Sequence, residues 1–280
     1  MPAGPYDTPL RRAGHYGLWA FGILVFAFLV APNLIIIPLS FNSEPYFSYP
    51  MSGFSLRWYE ELFGSTRWHE AFANSFIIGI PATVLATLLG TFAALGLSRR
   101  EFPLKGLVMG ILISPMIVPI VITAVGMYFF YARIGLTDSY LGLILAHTAL
   151  ATPYVVITVT ATLAGFDTGL VRAGASLGAG PLRVLRSITL PLILPGVISG
   201  ALFAFATSFD EVVVVLFVGG VDQRTLPRQM WSGIREAMTP TILAVATLLI
   251  LFALALMAVI ELLRARSERL RGAHHPAPSA

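Results

Sequence analysis

The sequence predicts an all-α membrane protein with six transmembrane helices, and three observations carry that prediction. Of its 280 residues, 56% are hydrophobic and 11% charged, against about 25% charged in soluble domains. A chain so poor in charge cannot coat a globule in water. Mean hydropathy is +0.81, and six apolar runs approach or exceed the ~20 residues that carry a helix across a bilayer. They lie at Leu18–Leu39, Phe72–Leu97, Gly106–Phe130, Leu141–Leu163, Ile188–Val218 and Thr241–Ile260. None shows the alternation of a barrel strand, so the helix is the element that satisfies the backbone in lipid.

Arg11 and Arg12 precede the first run. Its apolar length exceeds the ~7–15-residue core of a signal peptide, so it reads as a retained span with a juxtamembrane anchor. Residues 1–17 are then an N-terminal tail, 18–264 one permease-like membrane domain and 265–280 a C-terminal tail, whose His274 and His275 read as solvated. With both termini on one side, that side holds 12 of the 18 basic residues. The positive-inside bias therefore places both termini in the cytoplasm. The same basic loops account for a pI near 9.6 without a nucleic-acid partner.

The loop from Phe41 to Ala71 contains FSLRWYEELFG, where Leu56, Tyr59 and Leu62/Phe63 recur at helical spacing. A short amphipathic helix at the outer membrane surface is expected there. Trp58 and Tyr59 read either as interfacial aromatics or as contacts at the outer mouth of a pathway. Run two, SFIIGIPATVLATLLGTFAALG, is dense in Gly and Ala, as close helix packing requires. Prolines 32, 38, 81, 115, 119, 153, 191 and 195 predict kinks within spans. His147, alone in run four, reads as a packed residue. In run five, TSFDEVVVVLFVGG places Asp210 and Glu211 about 20 residues from the cytoplasmic start, roughly 30 Å along a helix. Either the pair marks the helix exit, or it faces the interior and attracts a cation.

Between runs four and five lies VRAGASLGAGPLRVLRSITLPLILPG. Asp167 or Thr168 can cap a helix on which Leu170, Ala173, Gly174 and Leu177 form one apolar stripe. Gly178 supplies its stop, and Gly180-Pro181 starts a second helix. Leu182, Leu185 and Ile188 continue the apolar face, Arg183 and Arg186 face headgroups or a partner, and Pro191 and Pro195 open span five. The segment 167–191 thus predicts two short helices forming a cytoplasmic docking element.

No GxxxxGK[ST], HExxH or GxSxG pattern occurs, and there is no cysteine. No catalytic residue, metal site or cofactor is expected in this chain. The almost uncharged span interiors argue against a proton-coupled secondary transporter or channel, and the missing catalytic constellations argue against a membrane enzyme. Energy for active transport would have to come from another subunit.

Arg172-Ala173-Gly174, Gly178 and Ile188-Thr189-Leu190-Pro191 match the spacing Glu-Ala-Ala, three residues, Gly, nine residues, Ile-x-Leu-Pro. On these residues the chain resembles permease subunits of binding-protein-dependent ABC importers. FSLRWYEELF, HTALATPYVVITV, SFDEVVVVLFVGG and TLPRQMWSGIREAMTPTILAVATLL look most like the second permease of spermidine/putrescine importers. The resemblance implies the type I importer permease fold, with cytoplasmic coupling helices, in a bacterial inner membrane. It implies a homologous permease, two cytoplasmic ATPase subunits that bind the ATP and Mg²⁺, and a periplasmic or tethered binding protein. It also implies that Leu170, Arg172, Ala173, Gly174, Leu177, Gly178, Ala179, Ile188 and Pro191 couple to the ATPase, while Trp58, Tyr59, Asp210 and Glu211 look like pathway residues. Polyamines are the implied solutes. An amino-acid derivative, a thiamine-like cation or a metal chelate remains open, since one scaffold serves many solutes.

One position departs from the pattern: the motif glutamate is Arg172, and its second alanine is Gly174. Either the ATPase presents a compensating acidic group, or docking rests on backbone and apolar contacts. Compensation predicts that Arg172→Glu lowers ATP-driven uptake in the assembled transporter. Unchanged or improved uptake would rule it out.

Overall fold

The computed structural model describes residues 9–98, 102–236 and 239–272. The end segments 1–8 and 273–280, with His274 and His275, lie outside the described residues, as does the basic pair Arg99-Arg100. Helices dominate the described residues, and the extended pairing among them is an isolated antiparallel bridge between Asn42 and Phe54.

The chain divides into two compact units. The first comprises residues 1–65 and 233–280. It holds α1 (Pro9–Leu39), α2 (Arg57–Gly64) and, beyond the second unit in sequence, the long helix at Thr241–Gly272. The apolar stretch Gly14–Leu39 of α1 is long enough to cross a membrane, and none of its most apolar part is buried within the chain. An apolar helix left bare in this way needs lipid or another subunit around it. In the loop after α1, Ser40 Oγ donates to the Ile37 carbonyl, and Asn42 Nδ2 bonds the Tyr46 carbonyl and Ser48 Oγ.

The second unit, Thr66–Ser232, is built on three helices. These are α3 (Thr66–Leu97), α6 (Tyr140–Ala164) and α9 (Leu190–Phe209), with α6 packing against both others. The α3 face turned inward carries Ala71, Asn74, Ser75, Ile78, Gly79, Ala82, Ala86 and Gly90, small residues at helical spacing. Between α6 and α9 the approach is closer still. A Cβ at Gly200 would lie 2.5 Å from Thr158 Oγ1 and 3.0 Å from the Val155 Cα, and one at Gly196 would overlap Thr162. In lipid, helix association draws on van der Waals contact, which such glycines maximise.

Two expected spans are interrupted. The run Gly106–Phe130 is two helices, α4 (Lys105–Ile117) and α5 (Ile120–Ile134), bent by 103°. Val118 and Pro119 between them are extended, with ψ of 132° and 128°. Proline disfavours the helical conformation in the residue before it, and here the chain turns. The run Ile188–Val218 is not one span either. Its helix ends at Phe209, and a short α10 (Val213–Val218) follows, with Val214, Val215 and Val218 buried beside α5 and α6.

The start of that span also differs from expectation. After α7 (Thr168–Ser176), α8 (Pro181–Val184) runs through a π-helical turn at Leu185–Thr189 directly into α9, so Pro181–Phe209 is one apolar helix. Neither Pro191 nor Pro195 opens it. The π-turn closes with the Leu190 amide donating to the Leu185 carbonyl, just before Pro191, which has no amide to give. After α11 (Leu226–Glu236), α12 (Thr241–Gly272) completes the chain, its apolar part running over Thr241–Ala255. Among the described residues four helices are long and apolar enough to span, or five if α4 and α5 count as one.

These glycine contacts fix a measurable contrast. Gly200→Ala should lower the thermal midpoint of the detergent-solubilised protein, since overpacking costs about 1–3 kcal/mol. Gly96→Ala has nothing within 4 Å of the new Cβ, and should hold or raise that midpoint by helix propensity alone.

Candidate solute pathway and coupling segment

The adjacent carboxylates of the sequence part company at the end of α9. Asp210 is its C-cap, donating its amide to the Ala206 carbonyl at 3.0 Å while its side chain is exposed. No ion pair holds that carboxylate among the described residues. A carboxylate at a helix C-terminus meets the negative end of the macrodipole, a position that disfavours it by about 0.3–1 kcal/mol. Glu211 points elsewhere: its Oε1 accepts from the Val214 amide at 2.9 Å, satisfying the first turn of α10.

Beyond α10, side chains anchor the loop 219–226. Arg228 Nη1 donates to the carbonyls of Gly219 and Gly220 at 3.0 and 2.6 Å. Burial, with Arg224 nearby, lowers the Arg228 pKa against the opposing pull of Asp138, yet a guanidinium stays charged. Asn74 Nδ2 donates to the carbonyls of Asp222 and Arg224 at 2.8 and 3.0 Å, and Asn74 Oδ1 accepts from Tyr140 Oη at 2.8 Å. Ser75 Oγ accepts from the Leu226 amide at 2.8 Å. Apolar runs conceal such residues; the only sequence signals were Asn74 and Ser75 within run two and the Gly219-Gly220 pair.

His147 is buried on α6, and its Nδ1 lies 2.8 Å from Ser208 Oγ on the last turn of α9. This is the packed role expected of it. In the other unit, Trp58 is also buried, with its indole N–H donating to the Asn42 carbonyl at 2.6 Å. Tyr59 is half-buried, hydrogen-bonded to Ser40 Oγ at 2.7 Å and ring-packed on Phe41. Both aromatics hold the loop between α1 and α2 together. The buried residues of α2 are Trp58 and Leu62, while Leu56 and Phe63 are exposed; of the expected stripe Leu56, Tyr59 and Leu62/Phe63, Leu62 is buried and Tyr59 half-buried, and Trp58 joins them.

Asp167 is the N-cap of α7, its Oδ1 accepting from the Gly169 amide at 2.7 Å. Gly178 ends the helix at φ +82°, with Ala179 N–H bonded to the Gly174 carbonyl and Gly178 N–H to that of Ala175. These two bonds form the glycine stop read from the sequence. The predicted stripe is divided, however. Gly174 is buried, and a Cβ there would lie 2.7 Å from Ile188 Cδ1 and 3.4 Å from Val184 Cγ2. That contact accounts for glycine where the family pattern has alanine. Leu170, Arg172, Ala173 and Leu177 are exposed, Leu177 at 88%, whereas Ala179 and Ile188 are half-buried and Pro191 is exposed. Beside the Gly178–Gly180 turn, an open cleft of about 550 Å³ is lined by Leu182, Arg183, Arg186 and Ser187.

Residues 86–270 match the family described as binding-protein-dependent transport system inner membrane component. The chain is 37% identical over 244 residues to the spermidine/putrescine transport system permease protein PotC of Haemophilus influenzae, covering 87% of this chain and 95% of that one. It is 35% identical to the putrescine transport system permease protein PotI of Escherichia coli K12, covering 83% and 85%. In fold it resembles a chain of a bacterial ABC transporter involved in alginate import, with TM-score 0.69, 13% identity and coverage of 94% and 99%. It also resembles a chain of the inward-facing MetNI methionine ABC transporter, with TM-score 0.56, 22% identity and coverage of 74% and 97%.

The different fates of the two carboxylates are separable by stability. Asp210→Asn should leave the thermal midpoint unchanged or raise it, because it removes charge from a helix C-terminus. Glu211→Ala should lower it by the loss of a cap, about 0.5–2 kcal/mol. Equal destabilisation by both variants would contradict this assignment.

Proposed function

The chain belongs to the binding-protein-dependent transport system inner-membrane components, the permease subunits of ABC importers, and from that premise we propose that it carries a polyamine such as putrescine or spermidine. Six spans, α4 and α5 together forming one, place both termini in the cytoplasm. A homologous permease completes the pathway, two ATPase subunits bind ATP and Mg²⁺, and a periplasmic or tethered binding protein delivers the solute. The chain itself performs no catalysis. α7 and α8 act as coupling helices: the exposed Leu170, Arg172, Ala173 and Leu177 seat in the ATPase. Gly174 against Ile188 passes its closure into α9 through the π-turn.

The observation that carries the solute class is Asp210, an exposed carboxylate without an ion-pair partner among the described residues, held where a helix end disfavours it. Side chains retained against local stability mark function, and the complement of a carboxylate is a cation. The identity to polyamine permeases supports the same class.

The test is uptake of radiolabelled putrescine and spermidine by proteoliposomes holding the complete transporter. Asp210→Asn should raise KM about tenfold or more, the loss of one charge-assisted contact, while assembly persists. Normal kinetics in that variant would defeat the cation site. Uptake surviving removal of the ATPase would identify a secondary transporter instead, and transport of an amino-acid derivative, a thiamine-like cation or a metal chelate in place of polyamines would reassign the solute.

A further inference from the structure

Four phenylalanine rings meet between α3 and the last turns of α9. Phe72 and Phe76 stand one turn apart on α3, with centroids 4.9 Å apart. Phe205 and Phe209 stand one turn apart on α9, at 5.3 Å. Phe76 joins the pairs, 5.3 Å from Phe209 and 6.3 Å from Phe205. Phe72 is 54% exposed and the other three are partly open. The buried faces of these two helices are mostly small residues, among them Ala82, Ala86, Gly90, Gly196, Gly200 and Ala204, so four clustered phenylalanines stand out. Phe209 is followed directly by Asp210.

The carboxylate sits on the C-terminal end of α9, and the ring cluster, whose faces carry negative potential, reaches the same end through Phe209. A compact monovalent cation needs the carboxylate alone. A linear polycation alternates ammonium groups with methylene stems, and each stem needs an apolar surface while each additional ammonium needs a second electron-rich partner. We infer that Phe72, Phe76, Phe205 and Phe209 form a wall beside Asp210 on which an extended polyamine lies, and that this wall sets the preference for longer amines. The inference rests on the polyamine reading above.

Fluorinated phenylalanines test it, because successive fluorines drain the ring face of negative potential while nearly preserving its shape. Mono-, di- and trifluorophenylalanine are placed at position 76 or 209 of the complete transporter in proteoliposomes, and spermidine and putrescine uptake are measured. The expected result is a stepwise rise in KM to about tenfold, the scale of a desolvated cation–π contact, steeper for spermidine. A matching series at exposed Phe92, which is outside the cluster, should leave both KM values unchanged. A KM that stays within about twofold across the series overturns the wall while leaving the polyamine reading intact. Failure of the unmodified transporter to take up either amine overturns both.

Discussion

A helix that breaks within an apolar environment must find partners for the amides and carbonyls it frees, and this chain breaks its apolar helices several times. Each break has its own answer. At Val118–Pro119 the extended residues turn the chain, and the Val118 amide still reaches the Ser114 carbonyl. Ahead of Pro191 a π-turn absorbs the missing amide. At Phe209, Glu211 supplies a carboxylate to the first turn of α10. After Val218, Arg228 takes the carbonyls of Gly219 and Gly220, while Asn74 takes those of Asp222 and Arg224. Asn74, Glu211 and Arg228 serve these breaks with their side chains, whereas the exposed Asp210 carboxylate serves none of them.

The close-packed triad α3–α6–α9 is what allows the breaks to be placed at all. Gly196 and Gly200 bring α9 onto α6 until side chain meets backbone, and the His147–Ser208 contact ties the same helices near the point where α9 stops. A rigid frame of small residues holds the short, broken elements in register, so that a single carboxylate can be exposed while its sequence neighbour is buried in a cap.

What the sequence disclosed follows from how local the signals are. Asp167, Gly178 and Pro181 act within a turn of themselves, and the cap, stop and restart stand where their spacing put them. The interruptions at Val118–Pro119 and at Phe209–Val212 lie inside unbroken apolar runs, where hydropathy is blind to direction. Helical spacing likewise named Leu56, Tyr59 and Leu62/Phe63 as one face of α2, and Leu62 is buried, yet Trp58 had a hydrogen-bond partner, Asn42, that only the folded loop provides. Which of Asp210 and Glu211 faces outward depends on where α9 ends, a tertiary matter. The coupling segment's glycine at position 174 was legible as a departure, and its reason, the Ile188 methyl pressed against it, was not.

The π-turn at Leu185–Thr189 has a geometric meaning beyond tolerating Pro191. A π-turn holds about one residue more than an α-turn, and each residue of an α-helix advances roughly 100° around the axis. Everything N-terminal to the turn is therefore out of phase with everything beyond it by about that angle. Val184, which faces Gly174 on α7, and Gly196, which faces Thr162 on α6, belong to one continuous helix but answer to two different azimuths. One inserted residue thus sets the angle between the face of this helix that meets α7 and the face that meets α6.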